Sequence, residues 1–249
     1  MGTRRTRRFW LCWALALAVT AVWTISPPPV QTSQPVGGAA HGSYVALTFD
    51  DGPWPGTTNA LLDGLAQRGV KSTFFLVGEQ VADRAETVRR MADEGHQIGL
   101  HTWHHVSLKG MTPDQITSQL DQTCAAIREI VGPVDLMLRP PYGFVDDTLR
   151  QWAKAPIICW SLDTEDWKDP TPSRITADIL RQVKDGDIIL MHDIFDTSVT
   201  AALAAVDQLL AQGYRLVTVE ELFAQRGQDP QPGAVYCSLP PAQKEEVEP

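Results

Sequence analysis

The sequence predicts an α/β protein built on a parallel β-sheet, and two observations carry this prediction. Seven short apolar segments with strand character alternate with amphipathic segments between residues 44 and 225, which is typical of a parallel sheet. The strand segments are apolar on both faces, as expected for a sheet that is covered by helices or closed into a barrel. An open doubly wound sheet is the alternative, but no GxGxxG segment follows the first strand to support a dinucleotide site.

The elements follow in regular order along the chain. The predicted strands are residues 44–49, 72–77, 97–100, 136–138, 156–161, 187–191 and 215–219. The predicted helices are residues 57–68, 84–94, 113–131, 147–154, 173–183, 199–212 and 220–225. The third helix has the clearest signal, because Thr112 is a good cap, Pro113 fits the first helical position, and Gly132 followed by proline ends the pattern.

The composition and charge exclude some classes of protein. The chain has 249 residues, 43% hydrophobic and 20% charged, which is ordinary for a globular protein with a large core. Residues 1–40 hold four arginines and no acidic residue, so the rest of the chain is more acidic than the net charge of −9 indicates. An acidic body argues against nucleic acid as a partner, since phosphate binding needs clustered basic residues.

The N-terminal segment has the organisation of an export signal. Four arginines precede an uncharged run that extends from Phe9 to about Ile25, the order found in secretory signals. Residues 1–25 are therefore predicted to be a signal peptide, cleaved for example after Ala21, or a retained membrane anchor. Either alternative places the remainder outside the cytoplasm, secreted or anchored to the membrane by this segment alone.

The domain prediction follows from the segments that flank the alternating region. Residues 26–43 are rich in Pro, Gly, Ser and Gln and are predicted to be a linker. Residues 44–225 form the single predicted domain. Residues 226–249 contain five prolines and an acidic end, and are predicted to be a Pro-rich, disordered tail.

The four cysteines do not form a recognisable framework. Cys12 lies in the N-terminal apolar run, and the other three show no CxxC spacing. Buried free thiols are the simplest interpretation. Outside the cell, however, Cys237 could form one disulfide with Cys124 or with Cys159, and the sequence does not choose between them.

Five polar motifs lie immediately after predicted strands. They are TFDDG at 48–52, HTWHH at 101–105, RPPYG at 139–143, DTEDW at 163–167 and LMH at 190–192. Each motif alone is a weak indication of a functional site, because ordinary turns, surface histidines or acidic loops contain the same residues. Together they are informative, because the loops after the strands of a parallel barrel converge on one face, where active sites are built.

The residue types in these motifs favour metal-assisted hydrolysis. His101 and His105 are four residues apart, so one turn of helix would point both imidazoles at one metal. Two histidines and a carboxylate form a facial triad that leaves positions open for water and substrate. A second carboxylate and His192 then remain to act as a base and an acid.

With these five motifs in this order, the sequence resembles the polysaccharide deacetylases of carbohydrate esterase family four, which are related to chitooligosaccharide deacetylases. The resemblance covers about residues 44–225. It implies a distorted (β/α) barrel, commonly of seven strands, in agreement with the strand count obtained from the hydrophobic pattern.

The resemblance also implies roles for particular residues, at the positions that match the family's motifs. The implied metal ligands are Asp51, His101 and His105, with Zn²⁺ as the default cation. The implied catalytic residues are Asp50 as general base with Arg139 as its partner, and His192 as general acid tuned by Asp166. The implied substrate and oxyanion residues are the Tyr142 backbone N–H, Trp167 and Leu190.

The expected activity is removal of N-acetyl groups from an amino-sugar polysaccharide. Export places the chain where cell-wall glycans lie, so peptidoglycan is the leading predicted substrate and chitin-like oligomers come next. An O-acetyl xylan esterase would use the same residues and remains an alternative, as does a catalytically silent glycan-binding module. The sequence does not specify the oligomeric state or the metal bound in the cell.

Overall fold

The structure, a computed structural model, describes residues 42–241, and its central strand is largely apolar. β1 (Tyr44–Asp50) is buried from Val45 onward. The other strands are β2 (Thr73–Leu76), β3 (Gln97–Leu100), β4 (Ile157–Ile158), β5 (Leu162–Asp163), β6 (Ile188–His192), β7 (Arg215–Val217) and β8 (Val235–Tyr236). Because β1 pairs with three parallel neighbours, it needs apolar side chains on both faces.

The strands form a distorted parallel barrel, as the sequence predicts. The main sheet has the order β3-β2-β1-β6-β5, and β7 pairs with the N-terminal part of β1. Leu138 forms single-residue bridges with Leu100 of β3 and Ile157 of β4, so the sheet continues to the pair β4-β8. Asp187, just before β6, bridges Ser238, just after β8, and this contact closes the ring.

Helices pack around this ring, close to the positions that the hydrophobic pattern predicts. They are α1 (Pro55–Arg68), α2 (Gly78–Ala82), α3 (Ala85–Asp93), α4 (Pro113–Val131), α5 (Asp147–Trp152), α6 (Pro172–Gln182), α7 (Asp196–Ala211) and α8 (Val219–Arg226). The bounds of α4 agree with the prediction. Thr112 and Gln115 form a reciprocal capping box at its start, and the helix ends at Gly132.

The strand that precedes Arg139 differs from the prediction. A strand over 136–138 was expected, but only Leu138 makes a bridge to its neighbours. Pro140 and Pro141 follow Arg139 directly, and neither has a backbone N–H to extend a ladder of hydrogen bonds. The predicted strand over 156–161 is likewise broken, into β4 and β5.

The prediction that a disordered tail begins at residue 226 is wrong for its first part. Val235 and Tyr236 form β8, which pairs with β4, and Leu239 is buried. A strand of two residues within a segment that contains several glycines and prolines carries too little periodicity to be recognised in the sequence. The packed region therefore extends beyond residue 225 and includes a strand from the Pro-rich segment.

The predicted signal or anchor over 1–25 and most of the linker over 26–43 lie outside the described residues, as does the end of the tail. Within residues 42–241, no helix is both long enough and apolar enough to cross a membrane.

Candidate active site

The carboxyl-terminal ends of β1, β3 and β6 bring the motifs together at one rim of the barrel. Asp50 is the last residue of β1 and His192 the last of β6, and these two residues are register partners on adjacent strands. His101 follows β3 directly. A cavity of about 450 Å³ opens between these strand ends. It is lined by Asp50, Asp51, His101, His105, Tyr142, Trp160, Asp163, Trp167, Leu190 and His192.

Three of these side chains form a candidate metal site. The Nε2 atoms of His101 and His105 lie 3.4 Å and 3.2 Å from Asp51 Oδ1, and the ligand atoms of all three residues fall within 4.8 Å of one another. Asp51 Oδ1 is buried and accepts no hydrogen bond from the described residues. Two nitrogens and one oxygen that converge without hydrogen bonds fit a shared divalent cation.

The second nitrogen of His101 supports the same interpretation. His101 Nδ1 lies 2.7 Å from the Arg139 carbonyl oxygen, which can only accept, so Nδ1 carries the proton. Nε2 then carries a lone pair, which is available to bind a cation shared with Asp51. Burial opposes ionisation of Asp51, but its interactions with His101, His105 and His192 outweigh burial and lower its pKa to about 2. The third ligand of the site, the only oxygen among the three, is thus supplied by an ionised carboxylate.

His104 lies apart from this triad. Its Nδ1 is 2.8 Å from Glu79 Oε2 and its side chain is exposed. His104 therefore does not belong to the group of side chains that converges on Asp51. The two histidine ligands, His101 and His105, do not lie on the predicted turn of helix: residues 101–105 form a loop in which Thr102 and His105 have left-handed backbone conformations.

Asp50 is fixed by a fully buried arginine. Arg139 Nη1 donates to Asp50 Oδ1 at 2.8 Å and to Thr48 Oγ1 at 2.7 Å, and Arg139 has no exposed surface. Its remaining nitrogens donate to the carbonyl oxygens of Ile158 and Cys159 at 3.2 Å and 3.0 Å. The guanidinium therefore holds one carboxylate oxygen of Asp50 and leaves Oδ2 directed towards the triad, 3.7 Å from His101 Nε2.

His192 is held by a second buried carboxylate on the other side of the cavity. His192 Nδ1 lies 2.7 Å from Asp166 Oδ1, while Asp166 Oδ2 accepts the backbone N–H of His192 and the hydroxyl of Ser198. Burial opposes ionisation of Asp166, but these hydrogen bonds, chiefly that with His192, lower its pKa. Nε2 of His192 faces the triad and lies 4.0 Å from Asp51 Oδ2.

The remaining predicted residues also line the cavity, Tyr142 and Trp167 at its opening and Leu190 deeper inside. Tyr142 lies in a short 3₁₀ turn with φ 64°, is half-exposed, and contacts the His105 ring edge-to-face at 5.1 Å. Trp167 is 57% exposed beside it, and Leu190 is buried. An apolar floor with an exposed aromatic rim could receive a small acyl group while a sugar ring stacks outside.

Several side chains of the site were not predicted from the sequence. Thr48 and Ser198 contact Arg139 and Asp166 directly, and Asp163 and Trp160 line the cavity. The Trp160 ring also lies over the Arg139 guanidinium, whose central carbon is 5.8 Å from the ring centroid. Thr48 could have been suggested by its place in the first motif, whereas nothing near Ser198 marks it.

Comparison with known proteins identifies the class of protein that these features define. A polysaccharide deacetylase family model matches residues 37–156. A peptidoglycan-N-acetylglucosamine deacetylase of Bacillus cereus is 36% identical over 193 residues, 75% of this chain and 70% of the relative. The chain belongs to the polysaccharide deacetylase family.

Two further relatives show the breadth of the family. The peptidoglycan-N-acetylmuramic acid deacetylase PdaC of Bacillus subtilis is 40% identical over 80% of this chain, which spans only 41% of that protein. The structure of a family 4 acetyl xylan esterase from Clostridium thermocellum, solved with a cobalt ion, superposes with a TM-score of 0.76 at 35% identity, covering 79% of this chain and 99% of that one. The chain thus spans well under half of the length of some curated relatives.

Proposed function

We propose that this chain removes N-acetyl groups from an amino-sugar polysaccharide outside the cytoplasm, with peptidoglycan as the leading substrate and chitin-like oligomers next. One observation carries the proposal. Asp50 and His192 lie at the ends of paired strands on either side of the candidate metal site, and each is fixed by a separate buried partner of opposite charge. That pairing suits one group to accept a proton and the other to donate one at the same pH.

The metal site supplies the electrophilic part of the chemistry. A divalent cation held by Asp51, His101 and His105, with Zn²⁺ as the default, would polarise the acetyl carbonyl and lower the pKa of water. A set of one carboxylate and two imidazoles would leave coordination positions open for water and substrate, and the three residues line the cavity.

The chain's own residues then move the protons. Asp50 Oδ2 takes the proton of the attacking water, while Arg139 keeps the other oxygen occupied and prevents the carboxylate from rotating. The Tyr142 backbone N–H is proposed to donate to the oxygen on which negative charge develops. His192 Nε2 donates its proton to the departing amine, which leaves poorly without one, and Asp166 stabilises the protonated imidazole until that moment.

The substrate assignment is supported by the relatives and by the rim of the cavity. Relatives of the chain are named for peptidoglycan N-acetyl groups on either sugar, glucosamine or muramic acid. Tyr142 and Trp167 offer exposed aromatic faces beside the cavity, as sugar rings require. An exported chain, secreted or anchored by residues 1–25, would meet this polymer.

An O-acetyl xylan esterase is the second candidate. The similarity to the Clostridium thermocellum acetyl xylan esterase over nearly the whole of that structure favours it. The same base and metal would serve an ester. An alkoxide leaves more easily than an amine, however, so an esterase would depend less on the proton from His192.

The test is acetate release by the metal-stripped chain before and after Zn²⁺ is restored, from peptidoglycan, chitooligosaccharides and acetylated xylan in parallel. Asp50→Asn should lose about 10²–10⁴ in rate, whereas the matched exposed variant Asp63→Asn, remote from the cavity, should not. Zn²⁺-dependent release from an amino-sugar polymer supports the proposal and names the polymer. Release from xylan alone supports the esterase, and near-full turnover by Asp50→Asn would overturn the role of the base.

A further inference from the structure

The three cysteines of the described region differ in burial and position. Cys124 is partly buried on α4, Cys159 is buried just after β4, and Cys237 is exposed just after β8. All three are free thiols in this structure. The sequence left Cys124 and Cys159 as equal candidates to pair with Cys237, and the fold now separates them.

The register of β4 and β8 places Cys159 beside Cys237. The strands run parallel, with Ile157 opposite Val235 and Ile158 opposite Tyr236, so the next pair along is Cys159 and Cys237. The Cys159 backbone N–H still donates to the Tyr236 oxygen at 2.8 Å, which holds the two chains together at this point. Neighbouring strands lie about 4.7–4.9 Å apart, within the range of Cα separations that a disulfide spans.

The two thiols also contact each other. Burial, then the charge of the neighbouring Cys237 thiol, and to a smaller extent a hydrogen bond with it raise the pKa of the Cys159 thiol to about 11. Cys124 has a different environment, because α4 packs against α2, α3, α5 and β3. Proximity therefore favours Cys159 as the partner of Cys237.

We propose that Cys159 and Cys237 are joined by a disulfide bond in the exported protein. The proposal rests on the extracytoplasmic location within the proposed function, since disulfides persist in oxidising compartments. Cys12 and Cys124 take no part in it.

The chemistry follows from the exposure of the two thiols. The exposed Cys237, as thiolate, attacks a disulfide-bearing oxidant of the thiol–disulfide oxidoreductase or oxidised glutathione class and releases one thiol of that oxidant. Cys159 then loses its proton and attacks the mixed disulfide at the Cys237 sulfur, which releases the second thiol. The two cysteine thiols give up two electrons and two protons, and the oxidant's disulfide is reduced to two thiols.

The bond would stabilise a part of the barrel that supports the site. The carbonyl oxygens of Ile158 and Cys159 hold the buried Arg139 guanidinium, which in turn fixes Asp50. β8 covers the outer edge of this strand, but it is two residues long. A disulfide closes the long loop between the two cysteines and so lowers the conformational entropy of the unfolded chain. The folded state, in which β8 pairs with β4, is stabilised as a result.

The first test is peptide mapping of the full chain exported by a bacterial host, alkylated before digestion and without reduction. A peptide that links Cys159 to Cys237, lighter by two hydrogens than the reduced pair, is the expected result. Full alkylation of Cys159 and Cys237, or linkage of Cys237 to Cys124 or Cys12, overturns the proposal.

A second measurement keeps the test informative if a variant folds poorly. Reduction with a dithiol should lower the Tm of the wild-type chain and of Cys124→Ser by about 5–15 °C, and should leave the Tm of Cys237→Ser unchanged. An equal change in Tm on reduction of Cys237→Ser and of Cys124→Ser would also overturn the proposed disulfide. Acetate release is assayed separately: a linked but inactive chain contradicts the proposed function alone, and an active chain with free thiols contradicts the disulfide alone.

Discussion

Asp166 contacts His192 twice, at the ring through Nδ1 (2.7 Å) and at the backbone through the amide N–H (2.9 Å). The carboxylate therefore fixes both the orientation of the imidazole and its protonation. Burial by itself would lower the pKa of His192, but the hydrogen bond and charge of Asp166, with smaller effects of Asp50 and Asp51, raise it to about 9. Nε2 consequently carries a proton at neutral pH.

The alkaline limb of the pH–rate profile should depend on this pair. His192 holds its proton below its pKa, so kcat/KM should fall as the pH rises through that value. Asp166→Asn removes the negative charge, and we expect the limb to move to lower pH by about 1–3 units. The measurement is the pH dependence of acetate release by the wild-type chain and by Asp166→Asn. A bound cation affects the pKa of His192 in both proteins, so the difference between their two alkaline limbs reports the effect of Asp166. Glu165→Gln, a neighbouring exposed acid, serves as the control, and an unmoved limb in Asp166→Asn would contradict the role of the pair.

Arg139→Lys should be far from conservative. A lysine could reach Asp50 or the strand carbonyls but cannot serve Thr48, Ile158 and Cys159 together, as the guanidinium does. Buried groups left unpaired should lower the free energy of unfolding by about 2–5 kcal/mol. Urea unfolding measures this loss, and acetate release measures the loss of orientation of Asp50. Arg128→Lys on the surface of α4 is the matched control. Similar unfolding midpoints for the two variants would contradict a stabilising role of the buried guanidinium.

Removal of one metal ligand should abolish metal binding and its effect on stability. Saturating Zn²⁺ at about 100 times Kd should stabilise the wild-type chain by about 2.7 kcal/mol, seen as a rise in Tm that a chelator reverses. His105→Ala should lose this rise. His104→Ala should keep it, because His104 pairs with exposed Glu79 instead. Loss of the Tm rise in both variants would show that the triad is assigned incorrectly.

Gly52 should not tolerate a side chain. A Cβ at this position would lie 2.5 Å from both carboxylate oxygens of Asp193, which is fully buried and hydrogen-bonded to Thr58. Gly52→Ala must therefore displace either Asp193 or the turn that carries Asp51, and we expect a loss of about 1–3 kcal/mol with weaker metal binding. Gly56→Ala is the control, since a Cβ there meets nothing within 4 Å. Unfolding midpoints and Zn²⁺ affinity that match between the two variants would contradict the proposed clash.

Local chemistry explains which parts of the fold were predictable. The bounds of α4 follow from Thr112, Pro113 and Gly132, which act within one turn of the helix end. β8 was missed because its stability comes from pairing with β4, a partner nearly 80 residues earlier in the chain.

The residues of the site can likewise be divided into those marked by nearby sequence and those placed by long-range packing. The metal triad and the pairs of Asp50 and His192 were predicted because their residues lie in five ordered motifs. The structure brings the triad, Asp50 and His192 to one cavity, and it places Arg139 and Asp166 in contact with the last two. Their chemical roles stay predictions. Ser198 could not be found in this way, because its hydroxyl reaches Asp166 only through the packing of α7 against the end of β6.

The left-handed backbone conformations have a consequence for how this chain can evolve. Apart from Lys154, every non-glycine residue of the described region with positive φ lies in a motif of the site; these residues are Asp51, Thr102, His105, Tyr142 and Glu165. Such conformations cost of order 1–3 kcal/mol each unless the surroundings enforce them. The rim of the cavity is thus a locally frustrated region within an otherwise consistent fold. Selection for thermal tolerance alone would favour glycine at these positions and so erode the ligand geometry, which makes the rim the place where stability and activity compete most directly.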